Sequence, residues 1–482
     1  MKPIRAVLCL AAVLLTAVCT KAPRSGTDLV MTDAGFIPRA APVDPGSETE
    51  ATAYYARLDA ELGDKEGFTF DTFDTVLAYL GYPELTGFDI ENRQSAALMA
   101  ACDLQTPVPF SACEVLATRF FAPKITDVAV NGGVITRGWR KLVRLKARKA
   151  SGAETKGIDS AWLLFNVFSN GDDPFQAKSQ NNQVMFVRAT GSPLANPVYW
   201  LVYEAVSKVE GNAVVKADGR RIAYLTASFD ARAKGVEEAA AANGVVIDQK
   251  YYVPVACAHC HGGLIGGEAD FPAAKLNYLD TDHWFDRTQI GDDFANLKPG
   301  TDVVLDGLTP DPHFPNDPTK ARTIVGSPEF TRAFSVMRWL NNEIRAQNAV
   351  TKGGASSFQF RAVDKWFALH KQNDGFVDMF DRGIAPGDRQ WDRANPIDKQ
   401  LLPLLSRYCF RCHSSIKYHV FDKDAVLLKA DKMIELIKKD VTNILAMPQD
   451  RNLSAPPAAA KDRACLLELL DRVGQNVPFK CQ

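Results

Sequence analysis

The sequence has almost no net charge, few histidines and no apolar run long enough to cross a bilayer. Its 56 lysines and arginines nearly balance its 57 aspartates and glutamates, which leaves a formal charge of −1. A chain with so little net charge has no field that would gather nucleic acid or anionic lipid. The segment 125–250 also lacks a phosphate-cradling glycine loop and an internal repeat. The function must therefore be sought in a few particular residues.

The N-terminus has the pattern of an export signal. Lys2 and Arg5 precede the apolar run 6–18, which is too short to span a membrane, and a proline-rich polar stretch follows it. We expect residues 1–20 to be a signal peptide and the mature protein to lie in the periplasm. Cys19 would carry a lipid anchor if the chain is a lipoprotein, although the residues before it match the small-residue cleavage box badly.

The pattern C-x-x-C-H occurs twice, as CAHCH at 257–261 and CFRCH at 409–413. Two thiols at this spacing can form thioether bonds to the vinyl groups of a haem, and the next residue then faces the iron. Zinc binding or dithiol redox chemistry is the alternative, but zinc motifs do not require a histidine directly after the second cysteine. The sequence thus predicts two covalently bound haems c. The predicted cysteine attachments and histidine axial ligands are Cys257, Cys260 and His261 for the first haem, and Cys409, Cys412 and His413 for the second.

Four cysteines remain outside the two motifs and the signal region. In an oxidising compartment we expect near neighbours to pair, which predicts disulfides Cys102–Cys113 and Cys465–Cys481. The alternative is four buried thiols, because cysteine packs well as a small apolar residue.

The pattern along the chain predicts an α+β multidomain protein. Residues 50–120 have helical spacing of apolar residues, as in FDTFDTVLAYL, whereas 125–250 contains short β-branched and aromatic runs separated by turn formers. The β-rich part is interpreted as a scaffold or a partner-docking module. The predicted domains are a signal peptide (1–20), a flexible linker (21–50), a helical then β-rich N-terminal domain (51–248), a first haem c domain (249–390) and a second haem c domain (395–482).

The second haem segment has a compact order of elements. DKQLLPLLSRYCFRCH predicts a helix that leads into the motif, AMPQ follows, and KDRACLLELLDRVGQNV predicts a closing amphipathic helix. Residues 395–482 therefore resemble the class I c-type cytochrome domain, which implies a loop that supplies a distal methionine. Met447 is then the axial partner of His413, and a thioether ligand raises the potential as an electron carrier requires. The alternative is a methionine that fills a gap in the core. His419 is expected to be solvated.

Several side chains are candidates for the sixth ligand of the first iron. His283 ranks first because its neighbouring aspartates and tryptophan could orient an imidazole. Met337 ranks second and lies on the helix that SPEFTRAFSVMRWLNNEIRAQN predicts over 327–348. His313, His370 and Met379 are further candidates. An open sixth position is also possible, and an iron with a free position can bind peroxide or oxygen.

Two C-x-x-C-H motifs in one exported chain are also similar to the bacterial dihaem cytochrome c peroxidases and their relatives. That resemblance implies one haem that does chemistry and one that supplies or removes electrons. Met447 lies closer to its motif than the family pattern places the high-potential ligand, so electron transfer with a redox partner protein is the preferred function. The alternative is a haem-dependent oxidoreductase that acts at the first haem on an oxidant such as peroxide. We expect no nucleic-acid partner, and contact with a membrane only through Cys19.

Overall fold

In the computed structural model of this protein, the chain is described over a series of segments. They are 29–32, 35–38, 46–92, 113–121, 128–129, 135–136, 138–168, 178–179, 182–210, 213–226, 250–255, 257, 261, 275–279, 302–304, 322–324, 328–351, 353–370, 379–384, 389–409, 419–438 and 457–481. The structural statements below concern these residues.

The strands lie mainly before the first C-x-x-C-H motif. They are β1 (Leu29–Thr32), β2 (Gly35–Pro38), β3 (Val115–Phe121), β4 (Val128–Ala129), β5 (Ile135–Thr136), β6 (Gly138–Lys146), β7 (Ile158–Phe168), β8 (Lys178–Ser179), β9 (Asn182–Arg188), β10 (Val198–Tyr203), β11 (Ser207–Glu210), β12 (Ala213–Lys216), β13 (Arg221–Ile222), β14 (Tyr224–Thr226), β15 (Lys250–Tyr252), β16 (Asp302–Val304) and β17 (Arg322–Ile324).

The helices lie at both ends of the described chain. They are α1 (Glu48–Leu62), α2 (Phe73–Tyr79), α3 (Gly87–Asn92), α4 (Gly152–Thr155), α5 (Pro328–Ala349), α6 (Phe358–Leu369), α7 (Pro396–Tyr408), α8 (Lys423–Lys438) and α9 (Pro457–Asp471). Short 3₁₀ turns occupy Gly354–Ser356 and Met379–Arg382. None of the described helices is both long and apolar enough to cross a membrane.

A seven-stranded antiparallel sheet organises the N-terminal half. Its strands follow the order β13–β10–β9–β7–β6–β3, and β8 pairs with β7. The sequence of β10, VYWLVY, is apolar throughout, and all six of its residues are buried. A strand that is covered on both faces favours such an uninterrupted run. This strand therefore lies in the interior, between other layers of the protein.

The helix α1 is fixed along β10 by two tyrosine hydroxyls. The Tyr54 hydroxyl accepts the backbone N–H of Trp200 at 2.9 Å, and the Tyr55 hydroxyl accepts that of Val202 at 3.2 Å. Burial raises the pKa of Tyr54 well above its usual value, so this side chain stays protonated. The first helix of the fold thus covers the strand that also carries Trp200.

The long helix α5 docks on the other side of the sheet through a buried ion pair. Arg144 of β6 donates from Nε to Glu343 at 3.0 Å and from Nη1 to the carbonyl of Cys113 at 2.7 Å. The indole of Trp339 donates to the same carboxylate at 3.1 Å. The Arg144 side chain is only 3% exposed, so these partners, rather than water, must balance its charge and accept its hydrogen bonds.

The last three helices enclose a separate core. Asn395 begins α7, where its side chain accepts the backbone N–H groups of Ile397 and Asp398, and Pro396 takes the first helical position. Lys423 at the start of α8 contacts the fully buried Asp398 at 2.5 Å. The apolar faces of α7, α8 and α9 then bury a cluster that runs from 391 to 470.

The two cores divide the chain between Ile384 and Trp391. Core residues on both sides of position 248, from Tyr54 to Ile384, belong to the same cluster. The structure is α+β, with the antiparallel sheet in the N-terminal half and helices in the C-terminal half, which confirms that part of the fold prediction. The domain boundaries, and the identity of the haem domains, stay predictions.

Several sequence-based expectations differ from the structure. The helical prediction over 50–120 is wrong for Val115–Phe121, which is the edge strand β3. Its segment SAALMAACDL lies outside the described residues. The helix α8, between the second motif and the final helix, had not been predicted. The helices predicted over 327–348, 398–413 and 461–477 are present as α5, α7 and α9, with shifted ends.

A disulfide joins Cys465 on α9 to Cys481, which is one of the two predicted pairs. It closes a loop with a sequence separation of 16, so reduction should lower the free energy of unfolding by about 3 kcal/mol through the entropy of the unfolded chain. Urea unfolding of the Cys465→Ser/Cys481→Ser variant would measure this loss. A variant as stable as the parent would mean that the bond does not constrain the unfolded chain.

Candidate functional site

The structure describes about half of the predicted site residues. Those described are Cys257, His261, Cys409, Met337, Cys113, Cys465 and Cys481. Those that lie outside the described residues are Cys260, Cys412, His413, Met447, His283 and Cys102. Cys113 is disulfide-bonded, and Cys102, the partner predicted for it, lies outside the described residues.

The first motif begins just after the strand β15. A cis peptide bond precedes Pro254, and the backbone N–H of Cys257 donates to the carbonyl of Pro254 at 3.1 Å. This turn follows the two-stranded pair of β14 and β15 and leads to the buried Cys257. Cys257 is 6% exposed, and it belongs to the main core. Its thiol is therefore held at a fixed, water-poor position.

The ring of His261 is oriented by its contact with a backbone carbonyl. Its Nδ1 lies 2.7 Å from the carbonyl oxygen of Lys275, and the N–H of Lys275 donates to the carbonyl of His261, also at 2.7 Å. A carbonyl can only accept, so Nδ1 carries the proton and Nε2 of the neutral ring carries the lone pair. Metal-ligating histidines typically donate their other ring N–H to such an acceptor. This tautomer is the one that can bind iron through Nε2.

Trp200 forms one wall beside this histidine. The ring centroids of Trp200 and His261 lie 4.3 Å apart with planes inclined by 42°. Trp200 comes from the fully buried strand β10 and is 2% exposed. The histidine is therefore oriented from two sides, by an aromatic ring of the sheet and by the Lys275 carbonyl.

The environment of His261 fits a haem group in three respects. The buried thiol of Cys257 supplies an attachment atom, and Nε2 of His261 supplies a lone pair. The indole Nε1–H of Trp200 is buried and has no hydrogen-bond partner among the described residues. Buried donors are normally satisfied, so an acceptor such as a haem carboxylate would complete this one.

The segment 275–279, which follows the first motif, is held by side chains of α5. Asn341 receives the N–H of Leu279 at 2.8 Å and donates to its carbonyl at 2.6 Å, while Asn348 donates to the carbonyl of Leu276 at 3.0 Å. Both asparagines are fully buried. The same helix is anchored on the sheet by Glu343, so the carbonyl that orients His261 is tied to the main core.

Burial also changes the chemistry of the Lys275 side chain. The residue is 2% exposed, and desolvation lowers the pKa of its ammonium group from 10.5 to about 8. The positive charge is disfavoured in this environment. The first site is therefore a poorly solvated one, in which charges on either the protein or a ligand interact strongly.

The second motif begins where α7 ends. Cys409 is the C-cap residue of this helix, and its N–H donates to the carbonyl of Leu405 at 2.8 Å. It is 9% exposed and belongs to the core of α7, α8 and α9. The first cysteines of both motifs are therefore buried in apolar cores.

The candidates for the sixth ligand occupy different positions in the fold. Met337 on α5 is completely buried and belongs to the same core as Cys257. His370 is 1% exposed, its Nδ1 lies 2.8 Å from the carbonyl of Trp366, and its ring stacks on that indole. Met379 is partly buried against the C-terminal core. The structure does not bring any of them into a described contact with His261.

The expectation that His419 is solvated is wrong. This side chain is 1% exposed and lies between two parts of the chain. Its Nε2 is 2.8 Å from the hydroxyl of Tyr278, and its Nδ1 accepts the backbone N–H of Phe421 at 3.2 Å. Sequence position alone could not identify this residue, since its partner Tyr278 lies 141 residues earlier.

Among the described residues, no group of three or more histidines, cysteines and carboxylates could hold a bare metal ion.

No protein-family model, curated protein or solved structure matches the chain. The resemblance to class I cytochromes therefore stays a prediction that rests on the two motifs and the order of the helices around the second.

Proposed function

We propose that this chain is an exported dihaem c-type cytochrome that transfers electrons between redox partners. The observation that carries the proposal is the orientation of His261. This histidine directly follows a C-x-x-C pair, its Nδ1–H is held by the Lys275 carbonyl, and its Nε2 retains the lone pair that an axial ligand needs. A buried cysteine of the same motif lies in the adjacent core.

The residues of the first site have distinct roles in this proposal. A bound haem supplies an iron that accepts and releases single electrons. Cys257 and Cys260 would hold the group covalently, and His261 would supply a nitrogen ligand to its iron. Trp200 and the Lys275 carbonyl keep the imidazole from rotating, which preserves the ligand geometry in both redox states. Burial of the surrounding side chains limits access of water.

The second site is proposed to hold the haem of higher potential. Cys409 and Cys412 would attach it, His413 would supply a nitrogen ligand, and Met447 would supply a thioether that favours the reduced state. The cap position of Cys409 at the end of α7 supports this proposal, as does the packing of α9 in the same core. This site would exchange electrons with a partner protein.

The test is the pigment of the protein after export. The chain purified from a periplasmic extract should contain two haems that stay with the polypeptide through acid–acetone extraction and denaturing electrophoresis. The haem concentration measured from the absorbance in alkaline pyridine, divided by the protein concentration, gives the number of haems per chain. A colourless protein, or one that loses its pigment to acid–acetone, contradicts the proposal.

The spin state of the ferric protein separates an electron carrier from an oxidoreductase. If both irons have two protein ligands, the electron paramagnetic resonance spectrum contains only low-spin signals, and cyanide leaves it unchanged. A high-spin signal that cyanide or peroxide converts would instead indicate an open position at one iron, and would favour a peroxidase-like activity over electron transfer.

A further inference from the structure

A buried histidine joins the C-terminal core to the main core. His419 is 1% exposed, and its Nε2 lies 2.8 Å from the hydroxyl of Tyr278, which is 5% exposed and belongs to the main core. The two rings are almost parallel, with planes 15° apart and centroids 5.9 Å apart. The chain continues from His419 into Val420 and Phe421, which belong to the C-terminal core. The histidine therefore lies where the two cores meet.

Two further hydrogen bonds connect the cores at the same place. The N–H of Ile384 donates to the carbonyl of Phe421 at 3.4 Å, and Arg361 of α6 donates to Asp422, also at 3.4 Å. Arg361 in addition donates to the carbonyl of Ile384 at 3.2 Å. We call residues 419–422 together with Tyr278, Arg361 and Ile384 the joint. One of the three hydrogen bonds between the cores thus involves a titratable imidazole.

The neutral form of His419 is the one that fits the joint. The backbone N–H of Phe421 donates to Nδ1 at 3.2 Å, and a backbone N–H can only donate, so Nδ1 carries the lone pair. The proton of the neutral ring is then on Nε2, where it is donated to the oxygen of Tyr278. A second proton would bind to Nδ1 and would point at the N–H of Phe421. Two donors would then face each other.

Protonation of His419 must therefore displace one side of the joint. If the ring stays on Tyr278, the backbone of Phe421 has to move away from Nδ1, and the carbonyl of Phe421 is the group that accepts the N–H of Ile384. If the ring turns instead, the hydrogen bond to Tyr278 is lost. Either movement weakens a hydrogen bond between the two cores.

The charged groups of the surrounding elements do not favour a second proton either. The buried or half-buried titratable groups are Lys275 and Tyr278 from the segment 275–279, Arg361 from α6, Arg382 from the second 3₁₀ turn, Asp398 from α7, and Asp422 and Lys423 at the start of α8. Asp398 pairs with Lys423 at 2.5 Å, while Asp422 lies beside Arg361 and accepts a backbone N–H of α8. The more exposed groups, which water screens, are Asp381, Arg389, Asp392, Arg393 and Asp424. Because cations outnumber carboxylates in the buried set, a further positive charge is unfavourable there.

We propose that His419 makes the joint an acid-sensitive switch, which holds the two cores together while the imidazole is neutral and releases them when it takes up a second proton. The switch requires no haem and is therefore additional to the proposed function. An imidazole in water gains its second proton near pH 6.5, so the open joint binds a proton below about pH 6.5 that the closed joint excludes. The closed joint is fully favoured above that pH. Below it, the ratio of open to closed molecules rises about tenfold for each pH unit.

The test follows amide hydrogen exchange at the joint as the pH is lowered. The full chain, as purified, is exchanged into deuterated buffer at several values between about pH 7.5 and about pH 5, and the rates are corrected for the intrinsic pH dependence of amide exchange. Mass spectrometry then reads the peptides that contain residues 419–422. Their corrected exchange should rise about tenfold between pH 6 and 5, whereas that of peptides from β10 should stay constant.

Two matched variants separate the titration of His419 from other effects. His419→Gln keeps a polar amide but cannot take up a proton, so exchange at the joint should no longer depend on pH. Arg361→Gln removes the contact with Asp422 and leaves the histidine, so exchange should be faster at every pH and should keep the same tenfold rise. If His419→Gln does not fold, nitrogen-15 spectra of the parent with labelled histidines replace it. One ring should then keep its proton on Nε2 alone until the joint opens, and gain the second proton in the same step.

Three results would contradict the switch. The first is exchange of residues 419–422 in the parent that does not change with pH. The second is the parental pH dependence in His419→Gln, which would assign the opening to another group. The third is loss of the pH dependence in Arg361→Gln, which would assign it to the pair of Arg361 and Asp422. Each of these results leaves the proposed function standing, whereas a protein without covalent haem overturns that function and leaves the switch in place.

Discussion

Replacing Cys257 and Cys260 together with alanine is expected, under the proposed function, to leave one covalent haem per chain where the parent would have two. The change removes both thioether attachments of the first motif and leaves the second motif intact. The alkaline pyridine spectrum per mole of protein should fall by half, and the intact mass should drop by one haem. The reciprocal variant, Cys409→Ala/Cys412→Ala, should also retain one haem.

The disulfide Cys465–Cys481 provides a matched control for this experiment. Its removal also replaces two cysteines, but neither belongs to a C-x-x-C-H motif. Cys465→Ala/Cys481→Ala should therefore keep both haems while it loses stability. If the two motif variants both retain two haems, or if the disulfide variant loses one, covalent attachment through the motifs is contradicted.

The sequence predicted those elements whose pattern is set by their own apolar residues. The runs VYWLVY and NQVMFVR became the adjacent strands β10 and β9 because nearly every residue in them packs inside the sheet. The helix α5 followed from the spacing of apolar residues over 327–348. In each case the pattern of apolar residues within the segment is enough to indicate which element forms.

The elements that were missed depend on distant partners. The strand β6, GWRKLVRLK, has too many cations to indicate a central strand, yet Leu142 to Leu145 are buried, including Arg144. Arg144 is tolerated there because Glu343, 199 residues later, neutralises it. No local pattern predicts such a pair.

In the candidate site, too, some features follow from the local sequence and others depend on distant residues. The C-x-x-C-H motifs identify the candidate ligands because the chemistry requires those residues at that spacing. The orientation of His261 could not be predicted, since it depends on a carbonyl 14 residues away and on an indole from the central sheet. The burial of His419 was likewise unpredictable, because its partner Tyr278 lies 141 residues earlier, after the first motif.

Replacing Glu343 with glutamine is expected to destabilise the protein by about 3–5 kcal/mol, because it removes one partner of a buried ion pair. Arg144 would keep its charge in a site where its side chain is 3% exposed, with only neutral hydrogen-bond partners. The same helix carries Asn341 and Asn348, which hold the segment that orients His261. Urea unfolding monitored by far-ultraviolet circular dichroism measures the loss.

A surface ion pair between α5 and α6 separates the effect of burial from that of charge. Arg345 donates to Asp364 at 2.7 Å, but the two side chains are 44% and 42% exposed. Asp364→Asn should therefore cost no more than about 1 kcal/mol, because water already solvates both groups. If Glu343→Gln is equally mild, water or another group must compensate Arg144, and the docking of α5 on the sheet cannot depend on this ion pair. If only Glu343→Gln lowers the free energy of unfolding strongly, the contact between α5 and β6 is what holds the first site on the sheet.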